Sequence, residues 1–366
     1  MNVPFADLHA QYLSIKDEID AAIADVIAQS AFIRGPQVDA FENAFARKIG
    51  TAHCVSCGNG TDALYIAMIA LGLQRGDEVI VPAMSWISTS ETVTQAGGRP
   101  VFCEIDAETY TIDPGAIEAL ITERTVGIIP VHLYGQPADM DPIMEIAERL
   151  GLWVIEDCAQ AHLARYRGQA VGTFGVAATF SFYPGKNLGA MGDAGSIVTN
   201  DAVLADRMAM FSRHGGLVKG DHQIEGINSR LDGLQAAILS VKLPYLAGWT
   251  SARQRLAMTY SDALVDLPFI TVPKVAQDRD SVWHLYVVQT ERRDALAEHL
   301  KERGIATSVN YPRALPFLPC YTGRAYPADA FPHARRLGDH GLALPLFAEM
   351  TEQQQRHVIS ALAEFV

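Results

Sequence analysis

A single lysine stands among four glycines in the segment Ser181-Phe182-Tyr183-Pro184-Gly185-Lys186-Asn187-Leu188-Gly189-Ala190-Met191-Gly192-Asp193-Ala194-Gly195. An apolar run ends at Ser181, and the turn after it presents the Lys186 amine. A lysine in a crowded apolar loop loses hydration, which favours its neutral, nucleophilic form. The glycines admit close approach by a ligand and the flanks are aromatic, so an amine that attacks a carbonyl fits better than a solvated surface lysine. A second segment is Val154-Ile155-Glu156-Asp157-Cys158-Ala159-Gln160-Ala161-His162. Two acids close an apolar run at its carboxyl end, where open α/β sheets hold ligands. A carboxylate beneath a pyridine-type ring nitrogen keeps that nitrogen protonated, which makes the ring a better electron sink. Asp157 would serve equally well as a cap for the following helix, and the segment alone does not decide between the two.

The loop Ser56-Cys57-Gly58-Asn59-Gly60-Thr61-Asp62-Ala63-Leu64 opens a helix. Amides at a helix start, with the Thr61 hydroxyl, make a seat for one phosphate. The string also matches a dinucleotide fingerprint, but that motif wants an acid at the end of the next strand. Here the next strand ends in Pro82-Ala83, so a single phosphate is preferred. Trp86 follows that strand and offers a flat ring that packs in the core or stacks on a ligand.

These groups must be carried to one place by an ordered scaffold. Glu78–Pro82, Pro100–Glu104, Val126–Val131 and Leu152–Glu156 are apolar runs of strand length, with helix patterns at Thr61–Leu73, Ser85–Gln95, Pro114–Ile121 and Met140–Leu150 between them. The alternation predicts a mainly parallel α/β sheet covered on both faces. Ala177–Phe182 and Gly195–Thr199 are strand-like and flank the glycine-rich turn. After Pro244 the pattern changes to a helix near Leu246–Leu264, a strand Ser281–Gln289, a helix Arg293–Arg303, a strand Ala306–Asn310 and helices near Ala328–Leu337 and Thr351–Phe365. Two domains are expected, 1–245 and a smaller C-terminal α+β domain, 246–366.

A chain of 366 residues is long enough for two such cores. Its net charge of −13 argues against nucleic-acid binding, which needs a basic face. No uncharged apolar stretch reaches the ~18 residues of a membrane helix, and the start lacks a signal-peptide pattern, so a cytoplasmic protein is expected. Five cysteines suit a reducing compartment. Cys54 and Cys57 form a C-x-x-C, but with no second pair no metal site is expected.

Across most of its length the sequence resembles the DegT/DnrJ/EryC1/StrS aminotransferases, which act on nucleotide-linked sugars. The resemblance runs from Pro4-Phe5-Ala6-Asp7-Leu8 to Tyr311-Pro312, through Ile33-Arg34-Gly35-Pro36, Gly58–Leu64, Gly76–Ile80, Val131–Gln136 and Asn228-Ser229-Arg230-Leu231-Asp232. It implies the pyridoxal-phosphate-dependent fold type I of aspartate aminotransferase, with a mainly parallel central sheet. It implies pyridoxal 5′-phosphate as cofactor, joined to Lys186 through an imine, with Asp157 at the ring nitrogen. Gln160 would lie near the ring and its 3-hydroxyl, and Trp86 would stack on the ring. Gly60, Thr61 and Ser181 would contact the phosphate, joined by Asn228 from the second subunit of a homodimer with shared sites. The implied reaction moves an amino group from an amino acid, L-glutamate in most of the family, to a keto-sugar nucleotide. Phe182–Ala190 and Asn228–Ala237 resemble members that aminate carbon 3; members that aminate carbon 4 more often carry Tyr or Phe where Ser229 stands. The related sugar dehydratases replace the lysine with histidine. Arg213, His162, His284 and Tyr311 are read as structural.

Overall fold

The computed structural model describes residues 1–365. Seven strands form the main sheet: β1 (His53–Cys57), β2 (Glu78–Pro82), β3 (Arg99–Cys103), β4 (Thr125–Ile128), β5 (Trp153–Asp157), β6 (Ala177–Ser181) and β7 (Gly195–Thr199). Their order across the sheet is β1-β7-β6-β5-β4-β2-β3. β7 runs against both its neighbours; the other pairings are parallel. All five residues of β2 and of β7 are buried, as an apolar run without alternation requires of a strand covered on both faces. One core packs helices Gly60–Ala70 and Ala202–Phe211 on the sheet; a second, around Phe41, Phe45, Phe180 and Phe182, covers another part of it.

The antiparallel β7 decides where the lysine turn lies. Ser181, the last residue of β6, and Cys57, the last of β1, both pair with Gly195, the first of β7. The turn 182–194 therefore leaves and returns at one rim of the sheet. β2 and β5 end at the same rim, which gathers Gly58–Thr61, Ser85–Trp86, Asp157–Gln160 and Lys186.

In the C-terminal part, β8 (Tyr286–Gln289) pairs antiparallel with β9 (Gly341–Leu344), beside helices Leu246–Leu264, Arg293–Glu302, Pro332–His340 and Glu352–Ala363. Val3 belongs to this core, its N–H donating to the Gly304 carbonyl at 2.8 Å.

Several elements differ from expectation. Pro114–Ile121 forms two short 3₁₀ turns, Pro114–Ala116 and Glu118–Leu120; Gly115 weakens a helix there, and Asp113 takes its N–H at 2.9 Å. The helix expected from Ser85 starts at Ser88. Ala306–Asn310 contributes one isolated bridge, Ser308 with Ala343. β9 lies in a stretch where no strand was expected. No helix among the described residues is long and apolar enough to cross a membrane.

Candidate active site

Asp157 ends β5 and is only 6% exposed. Its Oδ1 accepts the Ala159 N–H and its Oδ2 accepts the Thr89 hydroxyl, both at 3.1 Å. Burial pushes this carboxyl above the ordinary range, against the pull of those two bonds and of the positive charge on Lys186. Its neighbour Glu156 points elsewhere. It is fully buried and accepts the N–H groups of Gly172, Phe174 and Gly175 at 2.7–2.9 Å. The Ala138 N–H donates to His132 Nδ1 at 2.9 Å, so His132 Nε2 carries the proton and donates to Glu156 at 3.1 Å. With its oxygens taken by these donors, Glu156 is a structural acid, although His132, Glu156 and Cys158 cluster closely enough to suggest a metal.

The Lys186 turn is closed by its own N–H donating to the Tyr183 carbonyl at 2.8 Å. It is tied on both flanks. Asn187 donates to the Val282 carbonyl at 2.9 Å and contacts His284 Nδ1 at 3.1 Å. Buried Lys242 donates to the Gly189 carbonyl, and Gln235 accepts the Met191 N–H, both at 2.8 Å. Loss of hydration lowers the Lys186 amine to about 8, while the negative Asp157 draws it upward. Burial keeps His162 neutral, lowered to about 3, and holds His284 well below its ordinary range. Amine and acid thus feel one another, yet they are not in ion-pair contact.

The helix start after β1, the candidate phosphate seat, is built by close packing. An ideal Cβ on Gly60 would lie 2.7 Å from the Ser181 Cβ, so only glycine lets the helix start approach β6. Asn59 caps this helix by accepting the Asp62 N–H at 2.8 Å. The Gly58 N–H donates to Ser229 Oγ at 2.9 Å, and Ser229 donates to Asp62 at 2.6 Å. Thr61 meets Ser88, hydroxyl to hydroxyl, at 2.7 Å. Trp86 is 57% exposed, which removes the core-packing alternative. Gln160 is fixed at both ends, its Oε1 accepting the Tyr134 N–H at 2.7 Å and its Nε2 donating to the Tyr311 hydroxyl at 2.9 Å. The Tyr311 and Trp86 rings stand 5.5 Å apart.

The structure therefore gathers Gly60, Thr61, Trp86, Asp157, Gln160, Ser181 and Lys186 at one rim. Asn228 is exposed; its backbone bridges to Arg213, and its neighbour Ser229 reaches the phosphate seat. Sequence reasoning missed Thr89, Ser88, Gln235 and Lys242. Tyr311, expected to be structural, reaches the site through Gln160. A hydroxyl-rich Ser85-Trp86-Ile87-Ser88-Thr89 after a strand was the available signal. Cys54 and Cys57 are free, and burial pushes both thiols up, away from the reactive thiolate.

The donor set fits pyridoxal phosphate: a helix start with a hydroxyl for the phosphate, an exposed aromatic face, a buried acid and a partly dehydrated amine. Residues 13–363 match the DegT/DnrJ/EryC1/StrS aminotransferase family, and the chain belongs to it. It is 44% identical to the erythromycin biosynthesis sensory transduction protein EryC1 of Saccharopolyspora erythraea, covering 99% of each chain. It is 45% identical to the dTDP-3-amino-3,4,6-trideoxy-alpha-D-glucose transaminase of Streptomyces venezuelae, covering 99% of this chain and 96% of that one. The crystal structure of S. venezuelae DesV in complex with a ketimine intermediate superposes with a TM-score of 0.97 at 45% identity, covering 100% of this chain and 99% of that one. The chain is an aminotransferase with the fold type I architecture.

Proposed function

We propose that this aminotransferase uses pyridoxal 5′-phosphate to move an amino group from an amino acid, L-glutamate first among candidates, to carbon 3 of a nucleotide-linked keto-hexose. One observation carries the reading: a partly dehydrated Lys186 amine and a buried Asp157 lie at one rim and feel each other's charge, beside a glycine-tight helix start. The name of the Streptomyces venezuelae transaminase supports the 3-amino sugar, and its dTDP the nucleotide class.

The bound cofactor supplies an electron sink that stabilises negative charge at the donor's α-carbon. Lys186 would hold the cofactor at rest; once displaced by the donor, its amine would move the proton between that carbon and the cofactor's C4′. Asp157 would keep the ring nitrogen protonated, Trp86 would cover one ring face, and Gln160 would stand near the 3-hydroxyl. Gly60, Thr61 and Ser181 would hold the phosphate. Asn228, exposed in one protomer, would complete that seat in a second copy, which makes a homodimer the working unit. We assign residues 1–245 to the cofactor domain and 246–366 to the smaller domain, and expect the enzyme in the cytoplasm.

The test is the reverse reaction. Purified holoenzyme is given 2-oxoglutarate and a panel of 3-amino and 4-amino sugar nucleotides, and glutamate formation is followed. Consumption of 3-amino sugars alone supports the proposal. Consumption of 4-amino sugars alone moves the chemistry to carbon 4, and no consumption with any member defeats the reading, leaving the sensory transduction role in the name of EryC1.

A further inference from the structure

Between the phosphate seat and the buried acid runs the segment Ser85-Trp86-Ile87-Ser88-Thr89, three of whose side chains are hydroxyls that touch the rim. Ser88 Oγ meets Thr61 Oγ1 at 2.7 Å, and Thr89 Oγ1 reaches Asp157 Oδ2 at 3.1 Å. Behind Thr89, Ser85 Oγ lies 2.8 Å from Thr89 Oγ1. Thr89 and Ser85 are 1% and 3% exposed, so water does not compete for these bonds.

The direction of the chain follows from proton counting. An ionised carboxylate only accepts, so Thr89 spends its one hydroxyl proton on Asp157. The Thr89 oxygen is then free to accept, and Ser85 must be the donor to it. Two hydroxyl dipoles in series point their positive ends at Oδ2, and each strengthens the other. The other oxygen, Oδ1, is served by the Ala159 backbone, which no side-chain change removes. Thr89 is therefore the side chain that sets how Oδ2 is held.

We propose that Thr89, backed by Ser85, is a positioning residue that fixes the charge and aim of Asp157 beneath the cofactor ring. The inference rests on the pyridoxal-phosphate reading given above. Thr89 is 1% exposed and spends its hydroxyl proton on Asp157, so it acts through the acid. A weaker acid protonates the ring nitrogen less fully, and the imine between Lys186 and the cofactor then holds its own proton to higher pH.

The test uses holoenzyme and compares wild type, Thr89→Val, Thr89→Ser and Ser85→Ala by the pH dependence of the bound-cofactor absorbance. Single-turnover rates with L-glutamate are measured beside it. Thr89→Val keeps the shape of the side chain and loses the donor. Its absorbance midpoint is expected to rise by about one pH unit. Its single-turnover rate should fall about tenfold with little change in the glutamate concentration that half-saturates it. Thr89→Ser restores the wild-type values, whereas a merely structural loss would not be rescued by the smaller residue. Ser85→Ala shifts the midpoint the same way by less, and it decides the matter if Thr89→Val does not fold. A wild-type midpoint and rate in Thr89→Val, or a wild-type midpoint in Ser85→Ala when Thr89→Val is insoluble, overturns the proposal. A wild-type protein with no cofactor band at all overturns the cofactor reading instead, so the two failures are distinct.

Discussion

Gly60 backs onto Ser181 with no space for a methyl group, since an ideal Cβ on the glycine would stand 2.7 Å from the Ser181 Cβ. Gly60→Ala should push the start of helix Gly60–Ala70 away from β6 and cost about 1–3 kcal/mol of stability. The same shift spoils the phosphate seat, so the dissociation constant of pyridoxal phosphate is expected to rise at least about tenfold. Cofactor titration followed by absorbance measures it; unchanged affinity would mean that the phosphate sits elsewhere.

Removal of the amine tests the centre of the mechanism. Lys186→Ala should still fold, because the turn is held by Asn187, Lys242 and Gln235 rather than by the lysine side chain. Transamination should fall by more than about 10³-fold, with no borohydride-stable link between protein and cofactor. Mass spectrometry after reduction, beside a turnover assay, reads both outcomes.

The free enzyme should take up its cofactor in a pH-dependent way. The reactive species is the neutral amine, and burial lowers Lys186 to about 8 from 10.5. The neutral fraction then grows about tenfold between pH 7 and pH 9 and levels off above it. A lysine at its ordinary value would give about a hundredfold rise over that interval, with no plateau. Stopped-flow mixing of cofactor-free protein with pyridoxal phosphate separates the two curves.

Much of this site was legible in the sequence because its parts are local. A glycine-rich turn, a strand ending in acids and a glycine-opened helix each occupy a few consecutive residues. Strand pairing supplied what the segments could not, namely that Cys57 and Ser181 share Gly195 as partner. The partners of Thr89 and Tyr311 were not legible, since those contacts lie 68 and 151 residues away in the chain. Nor does hydrophobic pattern distinguish a helix at Pro114–Ile121 from two 3₁₀ turns, where local capping by Asp113 decides. Asp157 stood between helix cap and ring partner on sequence alone. The structure finds its Oδ1 on the Ala159 N–H and its Oδ2 on Thr89, close to a lysine.

The pair Glu156 and Asp157 offers the sharpest contrast, because adjacent acids on one strand point to opposite faces. Asp157→Asn keeps the volume and loses the charge that would hold the ring nitrogen protonated. Turnover should fall by about 10²-fold or more while the lysine link and the melting temperature stay near wild type. Glu156→Gln should do the reverse. Its carboxylate meets N–H donors from Gly172, Phe174, Gly175 and His132. An amide in its place turns one acceptor oxygen into a donor facing other donors, in a position with no access to water. That clash should cost about 3 kcal/mol of stability. The folded fraction should retain its cofactor absorbance and most of its rate per active site. Melting curves and active-site-normalised turnover for the two variants test both halves together. A Glu156→Gln enzyme that is stable but inactive would reverse the assignment of the two acids.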